Sequence, residues 1–510
     1  MKRRPILSLL LSSLGLAGCT VGPDYHRPDV KAPPAYAEAA STARTAVDYS
    51  PADLSAWWTV FGDPVLNDLV RRALAGNPDL QTAASRVREA REQTKIAAAA
   101  ELPSLNASGN AATFNSNRKP PTSAAGAVAA AGAAGGLGLP IPDHLNLYSA
   151  GFDATWEVDL FGGTRRSIEA AKANTEAAEW AGRDAQVSLL AEVANDYLTL
   201  RALQARIAVG QRELERQRGQ FDLIHARREA GFVTNLDVNQ QTAQVETAAA
   251  RIPQLDAQAR VQIHALGVLV GDLPEALADT LKPAAAPLPA PPPSLPLGLP
   301  SDLLRRRPDV RQAERRLAAA NAQIGVQEAN LYPKLNLLGL ASFASMSASD
   351  LFSSQNLSSI GAGMLSEPIF NGGRTRAQIR AAKEEHAQAL LAYQKTVMTA
   401  FRDVEDTLAR FKADDERRAA QARSVTATQN SLAIAQDQYR VGLVSFINVL
   451  QSENALLNSQ DQLTQSDAQV LNDLVSLYKA LGGGWSDEGA DERRPQRASA
   501  DHRGRYTGNL

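Results

Sequence analysis

The sequence has little of what several protein classes require. Its single cysteine, Cys19, excludes a disulfide framework within one chain. Aromatic residues make up only 5% of the chain, which is low for a compact core but normal for helices rich in alanine and glutamine. The net charge is only -2, and no basic stripe with interleaved aromatic residues occurs. We therefore expect no nucleic-acid partner.

Signals for chemistry are also scarce. The six histidines show no metal-ligand spacing, so we expect no metal site and no cofactor: His26, His144, His225, His264, His386 and His502. No nucleophile elbow and no Ser/His/Asp arrangement occurs, which argues against an enzyme. A phosphate cradle at Gly162-Gly163-Thr164-Arg165 is disfavoured against a strand-to-helix turn, because a lysine and further glycines are missing.

Long apolar runs are missing too, apart from one at the N terminus. Met1-Lys-Arg-Arg precedes the run Ile6 to Ala17, which has the length of a signal peptide and is too short to span a bilayer. The run ends in Leu16-Ala17-Gly18-Cys19, which resembles a bacterial lipobox. This resemblance implies cleavage before Cys19 and acylation of that residue. Thr20, standing where an aspartate would retain the protein in the inner membrane, implies an outer-membrane lipoprotein.

Apolar heptads are what the chain has in abundance. Residues 372–481 are predicted to form two long helices that fold back at Arg440-Val441-Gly442-Leu443. The first helix has one charged rung, Arg418, for which we expect a local stutter of the heptad. The apolar rungs are Val397, Val404, Phe411, Val425, Leu432 and Tyr439 on the first helix, and Val449, Leu456, Leu463, Val470 and Leu477 on the second.

The same hairpin occurs 211 residues earlier, with its turn at Gly231. The earlier rungs are Val193, Leu200, Ile207, Leu214 and Phe221, followed by Val238, Val245, Ile252, Ala259 and Leu266. Other motifs recur at nearby offsets, including Asn77-Pro78-Asp79 as Arg307-Pro308-Asp309. The chain is therefore one internal duplication. In each half, two shorter helices placed end to end match one long helix of about 100 Å.

Strict alternation predicts strands between these helices. From Tyr148, apolar residues alternate with polar ones. On this basis Phe152, Trp156 and Val158 are predicted on a lipid face, and Asp153, Glu157 and Asp159 on a lumen face. We disfavour the alternative that these carboxylates form a glycosidase pair, since they lie along one face of a strand.

Each half of the chain gives one β-hairpin, with strands at about 103–115 and 146–161, then 333–346 and 358–370. Four strands cannot close a barrel around a channel, and open sheet edges are not tolerated in lipid. Three chains would supply twelve. The predicted fold class is an α+β membrane protein, in which a long α-helical coiled-coil barrel adjoins a transmembrane β-barrel that closes only as a homotrimer.

These signals predict six segments. They are a signal peptide (1–18), a lipidated N-terminal and equatorial segment (19–76), a first repeat (77–271, helical hairpin 163–270), a proline-rich linker (272–300), a second repeat (301–485, helical hairpin 372–481) and a disordered tail (486–510).

Specific motifs along residues 19–485 resemble the TolC-type outer-membrane factors, most closely the lipidated branch that serves resistance–nodulation–division (RND) efflux pumps. They are Cys19-Thr-Val-Gly-Pro-Asp-Tyr, Trp57-Trp58 with Phe61 and Asp63-Pro64, Asn77-Pro78-Asp79-Leu80, Arg306-Arg307-Pro308-Asp309, Phe370-Asn-Gly-Gly-Arg374 and Tyr478-Lys-Ala-Leu-Gly-Gly-Gly-Trp485. The resemblance implies a homotrimeric tunnel in the outer membrane that receives small molecules from an inner-membrane RND transporter through a periplasmic adaptor. Type I protein secretion with an ABC exporter is the alternative. A helix-only scaffold without a channel is a third hypothesis.

The resemblance also implies roles for the two turns. Gly231, Phe232, Val441, Gly442 and Leu443 would form the tips where the adaptor docks. The periplasmic gate would lie beside them, at Asp237, Ile447, Asn448, Gln451, Glu453 and Asn454. Relatives carry an acidic residue nine positions after the second turn glycine and a basic partner three further on, where this chain has Gln451 and Asn454. We therefore expect a gate made of Ile447 side chains and amide hydrogen bonds.

Overall fold

The computed structural model describes residues 20–41, 45–47, 54–115, 144–281, 288–292, 294–296 and 300–486. The predicted signal peptide, Cys19, the Ala/Gly-rich loop within 116–143 and tail residues 487–510 lie outside these ranges. The chain divides into two compact units. Unit 1 comprises Met1–Pro28, Arg88–Ala177 and Ala313–Ala392, and unit 2 comprises Asp29–Val87, Ala178–Gln312 and Tyr393–Leu510.

Most of the described chain is helical, and the helix lengths repeat between the two halves. The helices are α1 (Pro64–Gly76), α2 (Pro78–Ala99), α3 (Gly163–Glu229), α4 (Asn235–Leu269), α5 (Pro300–Arg306), α6 (Pro308–Ala329), α7 (Arg374–Arg440) and α8 (Phe446–Ala480). The pairs α2 and α6, α3 and α7, and α4 and α8 have 22, 67 and 35 residues per helix. No described helix holds a stretch long and apolar enough to cross a membrane.

The described strands form two sheets, one in each unit. They are β1 (Thr45–Val47), β2 (Ser104–Asn115), β3 (His144–Val158), β4 (Ser294–Pro296), β5 (Lys334–Ser345) and β6 (Leu357–Ser366). In unit 1, β2, β3, β5 and β6 form an antiparallel sheet in that order, with one hairpin from each half of the chain. In unit 2, β1 and β4 form a short parallel pair. The strands β2 and β6 are therefore the two edges of the four-stranded sheet.

The aromatic motifs from the two ends of the chain pack together in the core of unit 2. Trp57 stacks on Tyr478 with ring centroids 5.1 Å apart, and Trp180 meets Trp485 edge to face at 5.3 Å. The amide of Gly484 donates to the carbonyl oxygen of Leu54 at 2.8 Å. Such aromatic pairs add to the stability that burial alone provides. The Trp-Trp block and the C-terminal Gly-Gly-Gly-Trp motif are therefore parts of the same core.

Asp63 illustrates how a short motif fixes a helix. Its carboxylate accepts from the Val65 amide at 2.9 Å, which caps α1 directly before Pro64. The other carboxylate oxygen accepts from the Tyr197 hydroxyl at 2.6 Å, and Tyr197 is buried. One aspartate therefore joins the start of α1 to the middle of α3.

Replacing Asp63 with alanine is expected to destabilise unit 2 by about 2–4 kcal/mol, because a helix cap is lost and a buried hydroxyl is left unpaired. The measurement is the thermal midpoint by circular dichroism at a fixed scan rate. Asp68→Ala is the matched control, since Asp68 lies on the same helix with an exposed ion pair to Arg71. Equal shifts for the two variants would contradict the role of Asp63.

Candidate functional site

The two hairpin turns have the same backbone geometry. Gly231 and Gly442 each have a φ of 80°, a conformation that favours glycine. The amide that follows each glycine donates five residues back, from Phe232 to Arg227 and from Leu443 to Gln438, both at 2.9 Å. This is the Schellman arrangement, which ends α3 and α7 and starts the return.

Both turns expose large apolar side chains. Phe232 is 81% exposed and Leu443 is 75% exposed, and Val441 is also exposed. Leu236 and Ile447, which occupy equivalent positions in the two hairpins, add to this surface. The sequence prediction missed Leu236, although its position 211 residues before Ile447 marks it as the equivalent residue. Contiguous exposed apolar surface is typical of a binding site.

Directly behind the turns, the two hairpins share a small core. Ile224 of α3 is buried among Leu432, Phe446 and Val449 of the second hairpin. Val238 of α4 packs against the same cluster. Apolar heptad residues predicted from the sequence therefore pack against the other repeat. This shared core stabilises the two turns.

Glu453 lies in a buried polar network between the hairpins. Glu453 is 2% exposed and accepts from the guanidinium of Arg216 and from the Gln217 side chain, the latter at 3.1 Å. Gln241, which is fully buried, donates to the Gln217 side-chain oxygen at 2.6 Å. Arg216 also binds Glu213 at 2.6 Å. The network joins α3, α4 and α8.

Two predicted gate residues form hydrogen bonds with the first hairpin. The Glu453 carboxylate belongs to the network just described, and the Asn454 amide donates to Gln244 of α4 at 3.3 Å. Glu453 is thus held inside the wall between the hairpins, and the gate role of both residues stays a prediction. A helix has 3.6 residues per turn, so Glu453 lies on a different side of α8 from Ile447 and Gln451, whereas Asn454, seven residues after Ile447, lies on nearly the same side as Ile447.

Asp237 has a local role. Its carboxylate accepts from the Thr234 amide at 2.8 Å, while the Thr234 hydroxyl accepts from the Asp237 amide at 3.3 Å. This reciprocal capping box starts α4. At the equivalent turn, the side-chain amide of Asn448 donates to the Ser445 hydroxyl at 3.1 Å. The acidic residue of the first turn is thus bound as a helix cap.

Ile447, Asn448 and Gln451 are the predicted gate residues that remain on an open surface of α8. All three are exposed, and their spacing of one and four residues places them on one side of the helix. The surface combines one branched apolar side chain with two amides.

The signal for the missed network was present in the heptads. Gln217 lies three residues after Leu214 and four before Phe221, which is the second apolar position of a heptad. Gln241 stands at the equivalent position of α4, and Glu453 lies between Val449 and Leu456 of α8. Polar residues on an apolar seam usually specify register or partner.

The sheet corrects one prediction about the polar face. Asp153 accepts from Asn106 at 3.0 Å and Glu157 pairs with Lys334 at 3.1 Å, so both lie on the same side of the sheet. Asp159, however, lies beyond the end of β3 at Val158. Its carboxylate accepts from the Arg165 amide at 3.0 Å, and it therefore supports the strand-to-helix turn.

The face that carries Asp153 changes character across the sheet. Asp153 pairs with Leu340 in register, and Leu340 pairs with Ile360. Leu338 and Met364 lie on the same face, opposite Thr155 and Asn336 respectively. The face is polar on the first hairpin and largely apolar on the second. The other face carries Phe152, Trp156 and Val158, as the alternation requires.

Two carboxyl groups, Asp414 of α7 and Asp473 of α8, lie close to each other. Asp473 is 5% exposed and one of its oxygens accepts from Gln469 at 3.0 Å, while the other is buried without a partner. The pKa of Asp473 is raised from 3.8 to about 7, mainly by burial and next by the adjacent Asp414. Arg410 acts in the opposite direction. The pair therefore holds a proton near neutral pH.

Arg418, the charged rung of the heptad ladder, has a partner on the facing helix. Its Nε donates to Asp467 at 2.5 Å. Among the residues that the structure describes, no group of His, Cys, Asp and Glu side chains is arranged to hold a metal ion.

Comparison with known proteins identifies the family. The family model for outer membrane efflux proteins matches residues 69–272 and 299–483, which together exceed half of the chain. The chain belongs to the outer membrane efflux protein family. The two matched segments follow the two repeats, and members of this family are transport ducts and not enzymes.

The similarity to known relatives covers most of the length of this outer membrane efflux protein. The pyoverdine export outer membrane protein OpmQ of Pseudomonas aeruginosa strain PAO1 is 32% identical over 436 residues, covering 86% of this chain and 89% of that protein. Nodulation protein T of Rhizobium leguminosarum bv. viciae is 31% identical over 481 residues, covering 94% and 93%. The solved outer-membrane channel OprN has a TM-score of 0.81 and 34% identity, covering 92% of this chain and 100% of that one. The predicted family, of the nodulation protein T type, and its outer-membrane localisation are confirmed.

Proposed function

We propose that the chain is the outer-membrane subunit of a tripartite efflux pump, a passive exit duct for small molecules. The observation that carries the proposal is the family match across both halves, together with a similar solved channel that is covered completely. The duct would do no chemistry itself, and an inner-membrane RND transporter would supply the driving force.

The proposed duct is a homotrimer. One chain contributes four antiparallel strands with open edges at β2 and β6, and three chains supply twelve strands that leave no edge in lipid. The face with Asp153 and Glu157 would line the lumen, and the face with Phe152, Trp156 and Val158 would contact lipid. Acylation of Cys19 would add an anchor in the outer membrane.

The adaptor is proposed to dock on the two turns. The exposed apolar side chains of Phe232, Val441 and Leu443 supply contact area, while Gly231 and Gly442 fix the direction of the turns. Ile447, Asn448 and Gln451 are proposed to line the closed entrance.

Export of small molecules is favoured over type I protein secretion. Relatives are named for efflux of antibiotics and toluene and for export of pyoverdine. The test is deletion of the gene, followed by measurement of the cellular accumulation of a panel of small compounds. Raised accumulation of at least one compound, restored by the intact gene, is expected. Unchanged accumulation together with loss of a secreted protein would favour the alternative.

The gate proposal predicts that a double variant closes the entrance more tightly. Gln451→Asp with Asn454→Arg introduces an acidic residue and a basic partner near the entrance, where ion pairs between copies would oppose opening. We expect lower single-channel conductance in planar bilayers, most clearly at low salt because exposed ion pairs are screened. Gln460→Asp, at a half-buried position nine residues further along α8, is the control. Unchanged conductance would contradict the placement of Gln451 at the entrance.

A further inference from the structure

The first described residues of the mature chain are held tightly. Residues Thr20–Tyr25, here called the strap, follow Cys19 directly. The Arg166 side chain is 5% exposed and donates from Nε to the Val21 carbonyl oxygen at 3.1 Å. Its Nη2 donates to the Gly22 carbonyl oxygen at 3.1 Å and to the Asp24 carboxylate at 2.7 Å. One guanidinium thus binds three successive groups of the strap.

Close backbone packing reinforces this binding. Gly22 has a φ of 93°, and a Cβ placed on it would lie 2.4 Å from the Cα of Gly325. A Cβ on Gly162 would lie 2.8 Å from the Cα of Thr20. Because neither glycine could carry a side chain without displacing its neighbour, the strap fits only against α6 and the turn after β3.

Further hydrogen bonds hold both ends of the strap. The Val21 amide donates to the Phe161 carbonyl oxygen at 3.1 Å. Asn321 donates to the Pro23 carbonyl oxygen at 2.8 Å, and the Tyr25 hydroxyl donates to Glu314 at 2.6 Å. These residues follow no helix or strand pattern in the sequence, but the strap is a fixed part of unit 1.

We propose that Arg166 is the positioning residue of the lipid anchor. Consecutive Cα atoms are about 3.8 Å apart, so the residue bonded to Thr20 cannot move far from the junction of β3 and α3. The acyl chains would therefore enter the leaflet directly beside the four-stranded sheet, with no flexible linker between them and the sheet. A fixed anchor holds the sheet at the membrane at a higher effective concentration than a flexible tether does, which favours insertion and assembly. The proposal rests on acylation of Cys19 and on the proposed outer-membrane duct.

Three substitutions loosen the strap in different ways. Arg166→Met removes the guanidinium, and Arg166→Lys keeps the charge but cannot span three acceptors. Gly22→Val displaces the strap sterically and leaves Arg166 intact. Arg165→Met is the matched control, because Arg165 is the adjacent arginine and its side chain pairs with Asp159 at 3.2 Å, outside the strap.

The first measurement is the mobility of the strap in the full-length, acylated protein. A nitroxide on His26→Cys reports it, because acylation blocks the thiol of Cys19 and His26 is exposed. In the unsubstituted chain the label is expected to be immobile. The mobile fraction should rise about tenfold or more in Arg166→Met, since several hydrogen bonds to a charged group are lost, and should not change in Arg165→Met.

The second measurement separates anchor positioning from simple packing. Trimer yield in the outer membrane is compared for Arg166→Met and the unsubstituted chain, once with acylated Cys19 and once with Cys19→Ala behind a signal peptide for non-lipidated proteins. Arg166→Met is expected to lower the yield only in the acylated background, with palmitate incorporation unchanged. An equal loss in both backgrounds, no loss in either, or a label that stays immobile in both Arg166→Met and Gly22→Val would overturn the proposal. Normal assembly without export would instead contradict the duct and leave the label result unaffected.

Discussion

Replacing Glu453 with alanine is expected to loosen the two helical hairpins from each other near the turns and to destabilise unit 2 by about 3 kcal/mol. The substitution removes the acceptor for Arg216 and for the buried Gln217 side chain. Gln241 then loses its ordered partner on α3. Buried donors without acceptors are costly, and the remaining exposure of Arg216 keeps the effect below that of a fully buried pair.

The measurement is the thermal midpoint of the trimer in detergent, combined with single-channel conductance. A lower midpoint and more frequent opening are expected, because the network joins the first repeat to the second beside the proposed entrance. Glu215→Ala, which removes an exposed carboxylate from α3, should change neither. A double-mutant cycle with Arg216→Ala gives the coupling between the pair. A coupling near zero would contradict the network.

The second large effect is a pH dependence that originates at Asp473. Its pKa in the folded chain is raised from 3.8 to about 7, with burial as the main cause and Asp414 as the next. The folded state therefore binds more protons than the unfolded state between these two values. The stability that this proton provides is present below about pH 4 and is lost as the pH rises through about 7.

Asp473→Asn is expected to remove this loss. Relative to the variant, the free energy of unfolding of the unsubstituted protein should fall by on the order of 2–4 kcal/mol between pH 4 and pH 8, as a raised pKa of this size requires. Thermal midpoints across this pH range measure the effect. Asp437→Asn makes the same change of charge at an exposed position of α7 and is the control. Parallel midpoint curves for the unsubstituted protein and Asp473→Asn would show that Asp473 holds no proton at neutral pH.

Local signals in the sequence were sufficient for the helices and strands. Apolar heptads and turn glycines place the reversals at Gly231 and Gly442, where both glycines adopt a φ of 80°. Alternation predicts a strand at about 103–115, and β2 runs Ser104–Asn115. These features depend on neighbours within a few residues, and a single sequence contains them.

Side-chain partners across the hairpins were not predictable in the same way. Glu453 and Asn454 lie close to Gln451 in sequence, but whether each contacts the first hairpin depends on the rotation of α8 against the other repeat. The fixed strap likewise needs the approach of Gly22 to Gly325, about 300 residues apart. The apolar second half of the Asp153 face follows from strand register, which aligns Leu340 with Asp153. Such long-range contacts leave little trace in local periodicity.

Three copies of this chain are proposed to form one duct. Native mass spectrometry of the protein extracted from the outer membrane tests this proposal most directly, because the number of chains fixes the number of strands. We expect a particle of three acylated chains, since twelve strands leave no open edge and enclose a channel. A particle of one or two chains would contradict the account, because four strands cannot close a barrel and eight leave no room for a duct.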